Sequence, residues 1–260
     1  MDTIKQQPKV VELRPGIFQF RSERPGSHVY LIKGHTKNLL VDTGTASNYA
    51  NLSECLSVVG LGPHHIHTII LTHEHFDHIG AVPYFFDTAV VAAHGLAANK
   101  IELQDEFVMM SKYLDHSRKT FHVDIWLQAD TVLDLGNYRI RVLHTPGHCS
   151  GCLCLYEMHE RLLFTGDTVL AGGILSGILG SGNISDYISS LVRLNTLRVK
   201  ELYPGHGRIS LNPHDDLEKA LQAAQSLLED TKILFETLDT ESTYEQYFAD
   251  LRKFPTPPRC

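Results

Sequence analysis

The sequence predicts a mixed α+β fold whose sheets are covered on both faces, and three observations predict it. Short apolar runs of strand length, bounded by Gly, Pro, Asn or Asp, recur through the first 210 of 260 residues. Several of these runs are apolar at both alternating positions, as in strands that bury two faces. Helical patterns lie between the runs in both halves of the chain.

The strand candidates are 28–33 (HVYLIK), 38–42 (NLLVD), 68–72 (TIILT) and 89–93 (AVVAA), then 138–144 (YRIRVLH), 152–156 (CLCLY), 161–165 (RLLFT) and 199–203 (VKELY). Many are rich in β-branched residues, which suit a pleated, half-buried surface. Residues 47–59 carry Leu52, Leu56 and Val59 at helical spacing. Residues 186–197 place Tyr187, Ile188, Leu191 and Leu194 on one stripe, with Ser185 as N-cap. Residues 215–236 read as a long amphipathic helix through Leu217, Ala220, Leu221, Ala224, Leu227 and Leu228. The expected organisation is a domain over 1–210, built of halves at about 1–120 and 121–210, then a helical extension at 211–253 and a loose Pro-rich tail at 254–260. Segment 94–127, with Met109, Met110, Tyr113, Phe121 and Trp126, reads equally as helices over a pocket or as a packed insertion. No short repeat or low-complexity tract is present.

Composition narrows the function classes. Apolar residues make up 43% and charged residues 20%, an ordinary globular balance that argues against disorder. A net charge of −7 does not suit binding nucleic acid by charge alone, although a local basic groove stays open. The N-terminal MDTIKQQPKVVEL lacks an apolar run of signal-peptide type, and no stretch of about 18 apolar residues offers a membrane span. The five cysteines, Cys55, Cys149, Cys152, Cys154 and Cys260, are an odd set that fits a reducing cytoplasm better than a disulfide framework.

The 16 histidines are many for this length, and one stretch concentrates them: Leu71-Thr72-His73-Glu74-His75-Phe76-Asp77-His78. It follows the apolar run Thr68–Leu71, so it sits where a strand passes into a loop. Burying so many polar rings without partners is costly, whereas a loop that turns them to one point makes a metal site. His73 and His75 can share one ion, and Asp77 and His78 can reach a second. Further ligands follow other strands and tight turns: His148 in His144-Thr145-Pro146-Gly147-His148, Asp167 in Phe164-Thr165-Gly166-Asp167, and His206 in Tyr203-Pro204-Gly205-His206-Gly207. Strand ends gather on one edge of a sheet, which favours convergence.

The pattern H-x-H-x-D-H, then H, then D, then H, resembles the metallo-β-lactamase superfamily over roughly residues 10–210. The resemblance implies a four-layer αββα sandwich, two sheets face to face with helices outside. It implies that His73, His75 and His148 hold one ion, that Asp77, His78 and His206 hold another, and that Asp167 bridges them. Asp42, in Leu40-Val41-Asp42-Thr43-Gly44, matches a position that supports the metal loop by orienting a ligand imidazole. The implied cofactors are two divalent ions, zinc ranked first, with iron and manganese as alternatives. Such a pair generates hydroxide near neutral pH to attack an ester-like carbon or a phosphorus, and Asp77 is the candidate catalytic residue that orients this nucleophile or passes on its proton.

The other polar clusters take blander readings. Cys149, Cys152 and Cys154 read as small apolar residues entering a strand. His64, His65, His67, His94, His116, His122, His144, His159 and His214 read as surface or loop residues. A histidine at 75, where iron flavoproteins of the superfamily carry a carboxylate, disfavours that branch, and Asp167 disfavours the drug-hydrolysing β-lactamases. The Gly-rich, apolar loop Leu170–Ile184 reads as the wall of an acyl pocket, or as a connector before the next helix. The expected function is therefore hydrolysis of a thioester or other carboxylic ester or lactone, with a small-molecule acyl substrate as partner. The alternatives are an RNA or phosphodiester hydrolase, a mononuclear iron persulfide dioxygenase and a non-catalytic metal-binding regulator. No substrate-binding residue and no oligomeric state can be read from the pattern.

Overall fold

The computed structural model describes residues 9–237 except 24, 112–119 and 129, with the side chains of 231–237 also left aside. Its first sheet has seven strands in chain order: β1 (Val10–Arg14), β2 (Ile17–Phe20), β3 (Val29–Lys33), β4 (Asn38–Val41), β5 (Thr68–Ile70), β6 (Val90–His94) and β7 (Ile125–Leu127). The first four pair antiparallel and the rest continue in parallel. The second sheet has five strands, β8 (Val132–Asp134), β9 (Arg139–His144), β10 (Leu153–Glu157), β11 (Leu162–Gly166) and β12 (Glu201–Pro204), in the order β12-β11-β10-β9-β8. Only β11 and β12 in that sheet run parallel. The helices are α1 (Tyr49–Val58), the single turn α2 (Phe76–Ile79), α3 (Gly95–Glu102), α4 (Ile184–Asn195) and α5 (Pro213–Thr237).

The period of two along each strand sorts side chains into three cores. Ile32, Leu39, Val41 and Ile70 face Ile140, Val142, Leu155 and Phe164 between the sheets. Their neighbours Leu31, Leu40, Ile69 and Val91 turn the other way, under Leu52 and Leu56 of α1 and Ala97 and Ile101 of α3. On the far side, Leu143, Cys154, Leu163 and Leu202 pack against Tyr187, Leu191 and Leu194 of α4 and Leu217, Ala220 and Ala224 of α5. Strands apolar at both alternating positions therefore mean two covered sheets, and the layers are αββα as expected. Each buried Val, Leu, Ile or Phe among them contributes about 1.5–3 kcal/mol. An aromatic group closes the inter-sheet core near the site: Phe164 meets Tyr30 and Tyr203 edge-on, at 5.2 and 5.1 Å. The Tyr30 hydroxyl donates to Pro204 O at 2.7 Å, tying β3 to the end of β12.

The expected strands and helices appear within a few residues of their predicted bounds, and the C-terminal helix is α5. The cap of α4 is corrected. Asn183, not Ser185, accepts from the Asp186 amide at 2.8 Å, and Ser185 lies inside the helix. Segment 94–127 holds α3 and β7; its residues 112–119, with Tyr113 and His116, lie outside the described residues, as do 238–253 and the tail at 254–260. No described helix is long and apolar enough to cross a membrane.

Candidate metal centre

The ends of β5, β9, β11 and β12 deliver every expected ligand to one edge of the sandwich. After β5, Thr72 is pinned by Asp42: its amide donates to Oδ1 at 2.7 Å and its hydroxyl to Oδ2 at 2.8 Å. The chain then turns through His73 and His75 into α2, which carries Asp77 and His78. The Phe76 amide donates to Met109 O at 2.9 Å and the Ser27 amide to Asp77 O at 3.0 Å, so the short helix is held from both sides.

Among the described residues three groups of donor atoms result, each within 4.8 Å: His73, His75, His148 and Cys149; His73, His78 and Asp167; and Asp77, His78 and His206. His75 Nδ1 lies 3.0 Å from His73 Nε2 and 3.1 Å from His148 Nε2. His206 Nε2 lies 3.1 Å from Asp77 Oδ2. Asp167 stands between the clusters, with Oδ1 3.4 Å from His78 Nε2 and 3.7 Å from His206 Nε2, and Oδ2 3.9 Å from His148 Nε2.

The hydrogen bonds around the rim show which way the rings present their lone pairs. His78 Nδ1 donates to Asp42 Oδ2 at 2.8 Å, His148 Nδ1 donates to Gly177 O, and His75 Nε2 faces Cys149 Sγ at 3.4 Å. With the protons outside, the inward nitrogens are acceptors. His78 Nε2 and Asp167 Oδ1 are buried, face each other and have no hydrogen-bond partner. An unsatisfied buried acceptor costs about 1–3 kcal/mol, and a proton on His78 Nε2 or a metal cation between the two atoms removes that cost. The residues thus fit a cation.

Electrostatics agree. Burial holds His73 well below its ordinary pKa, assisted by the neighbouring imidazoles, and brings His75 to about 3, with His148 adding to the effect. These rings stay neutral, the form that ligates a metal. Burial also pushes His78 down, but Asp42, Asp77 and Asp167 outweigh it and raise its affinity for a proton; the same field favours a metal cation. Burial acts to raise Asp77 and Asp167, and His78 nonetheless brings both below the usual carboxylate range.

Glycine makes the close approach possible. A Cβ on Gly205 would lie 2.6 Å from His78 Cε1 and 2.7 Å from Asp167 Oδ1. Gly205→Ala is expected to cost about 1–3 kcal/mol through overpacking and to weaken cation binding. Urea unfolding of the metal-free protein and a chelator competition read the two effects; unchanged values would mean the turn has slack.

Three features escaped the sequence reading. Cys149 is not merely a strand-entry residue, since its thiol backs His75. Glu74 is fully buried, 3.3 Å from Lys100 Nζ, and accepts from Ser181 Oγ at 3.1 Å. Lys100 also donates to Ser150 Oγ at 2.6 Å, so one network joins the metal loop, α3 and the turn after His148. His94, expected at the surface, is buried and stacks on His144 at 3.7 Å. Burial and then His144 bring His94 to about 4.

Residues 23–206 match the family model described as the metallo-beta-lactamase superfamily. The chain belongs to the metallo-β-lactamase superfamily. Its relatives within the superfamily include acyl-coenzyme A thioesterase MBLAC2 of Gallus gallus, 29% identical over 75% of this chain and 78% of that protein. The atrochrysone carboxyl ACP thioesterase of Aspergillus fumigatus is 26% identical over 86% and 66%. Among solved structures, a metallo-beta-lactamase family protein from Thermus thermophilus superposes with a TM-score of 0.71 at 27% identity, covering 84% of this chain and 82% of that one. Membership of the superfamily, hydrolase relatives and the His/Asp groups together support an enzyme of the metallo-hydrolase type.

Proposed function

We propose that the chain is a cytoplasmic thioester hydrolase with two divalent cations, His73, His75 and His148 holding one, Asp77, His78 and His206 the other, and Asp167 serving both. The observation behind this reading is the facing pair His78 Nε2 and Asp167 Oδ1, buried and without a hydrogen-bond partner between two clusters of candidate donor atoms. Two bound cations, zinc ahead of iron or manganese, supply a nucleophile at neutral pH and polarise the acyl oxygen. Asp42 fixes the ring of His78. Asp77, less enclosed than His73, His78 and Asp167, orients the attacking water and accepts its proton.

The loop after Asp167 favours an acyl group over a phosphodiester. Leu175 and Ile178 pack onto the outer core, leaving Ile174 exposed and Leu179 partly so, while the Leu179 amide donates to His148 O at 3.0 Å. An apolar wall is thus anchored to a ligand turn. The thioesterase relatives point the same way. The free thiols Cys55, Cys149, Cys152 and Cys154 suit a reducing compartment.

Elemental analysis of protein purified without chelator is expected to find about two cations per chain. The same preparation is expected to cleave acyl thioesters and to leave RNA and bis-aryl phosphate intact. RNA cleavage with inert thioesters would overturn the substrate reading, and a single iron would overturn the two-cation reading.

A further inference from the structure

A cleft of about 500 Å³ lies between the start of the Gly-rich loop, the segment after His206 and the first turns of α5. We infer that this cleft binds the anionic end of the thiol carrier of an acyl thioester, with Arg208 as the pairing group. The inference rests on the thioester reading above and adds to it a place for the leaving group.

Both walls grow directly out of the site: Arg208 stands two residues after His206, and Gly172 five after Asp167. Two extended residues span at most about 7 Å, which puts one end of the cleft within reach of a carrier whose thioester sits at the metal centre. The wall is also fixed. Leu202 and Ser210 exchange both backbone hydrogen bonds, at 3.0 and 2.9 Å, so the segment after His206 folds back along β12.

Four charged side chains line the cleft: Arg208, Lys219, Asp215 and Asp216. Asp215 is answered by Lys219 at 3.0 Å. Asp216 is buried, accepts from the Gly172 amide at 2.9 Å and lies in the first turn of α5, where the helix dipole offsets its charge. Arg208 is exposed and engages no carboxylate among the described residues. A guanidinium is charged at every relevant pH and presents a planar fork of donors that matches phosphate or carboxylate in two-point contact. Coenzyme A brings phosphates and glutathione brings carboxylates; the chemistry they share is an anion on the departing thiol.

Such a contact lies away from the reacting carbon, so it acts equally on substrate and transition state and shows in KM rather than in kcat. The experiment compares wild type, Arg208→Ala and Arg208→Glu on three thioesters of one acyl group, carried by coenzyme A, by glutathione and by neutral N-acetylcysteamine. In parallel, calorimetry titrates non-hydrolysable S-alkyl thioethers of coenzyme A and glutathione into the same proteins. Arg208→Ala is expected to raise KM for a charged carrier about tenfold, to leave kcat unchanged and to leave the neutral thioester untouched. Arg208→Glu exceeds it, and the wild-type advantage shrinks with added salt. The thioether that binds wild type and is lost in Arg208→Ala names the anion. Equal effects on the neutral thioester, or no thioether binding by wild type, would overturn the inference. Failure of wild type to cleave any thioester would overturn the thioesterase reading instead, and the calorimetry would still decide whether the cleft holds an anion.

Discussion

Asp77→Asn is expected to lower kcat by about 10²–10⁴-fold, the range typical of losing a positioned proton acceptor, while at least one cation stays bound. The geometry separates the two effects. Asp77 Oδ2 contacts His206 Nε2 at 3.1 Å and His78 Nε2 at 3.7 Å. The cluster of His73, His75 and His148 makes no use of it. Asparagine keeps the shape and one acceptor oxygen but cannot take a proton near neutral pH. Turnover and elemental content measured on one preparation decide the matter. Full activity would remove Asp77 from the chemistry, and loss of all metal would make its role one of assembly.

Asp42→Asn is expected to weaken cation affinity by about 10–100-fold, the usual cost of losing a carboxylate behind a ligand histidine. Asp42 is buried and accepts three hydrogen bonds, from the Thr72 amide and hydroxyl and from His78 Nδ1. It also sits at φ 62°, a left-handed conformation that asparagine tolerates. The substitution therefore spares the backbone and changes only charge and donor pattern: one N–H must now face another. Left unpaired, it costs about 1–3 kcal/mol. Chelator competition gives the affinity, and urea unfolding of the metal-free protein gives the stability. Unchanged affinity with lowered stability would mean that Asp42 supports the turn and not the histidine.

The layers, and the His and Asp side chains that the fold gathers at one edge, were legible because their signals are local. Ile69 and Ile70 fall on opposite faces of β5, and the runs apolar at both alternating positions reported strands covered twice. His73 to His78 lie in one loop, and His148, Asp167 and His206 each follow a strand and a glycine turn. Weaker elements passed unseen. β7 and β8 have three residues each, Ile125, Trp126 and Val132 are exposed, and such alternation is too short to detect. α3 begins on a glycine, with buried His94 as its cap. Asn183 and Ser185 are both good caps, and nothing local chooses between them. Partners far apart in sequence were out of reach altogether. The ion pair of Glu74 with Lys100 exists only once α3 has packed on the first sheet, and the hydrogen bond of Glu74 to Ser181 and the approach of Cys149 to His75 only after the sheets have met.

The site is stitched from both sheets: His73, His75, Asp77 and His78 arrive from the first, and His148, Asp167 and His206 from the second. With cations in the proposed places, the two halves cannot part without releasing them. A ligand that binds only the native chain stabilises it by RT ln(1 + [L]/Kd), and proteases act on the fraction that has opened. With those cations in place, the lifetime of the protein in a cell would be coupled to its metal supply, so that scarcity would remove the polypeptide itself and not merely its turnover.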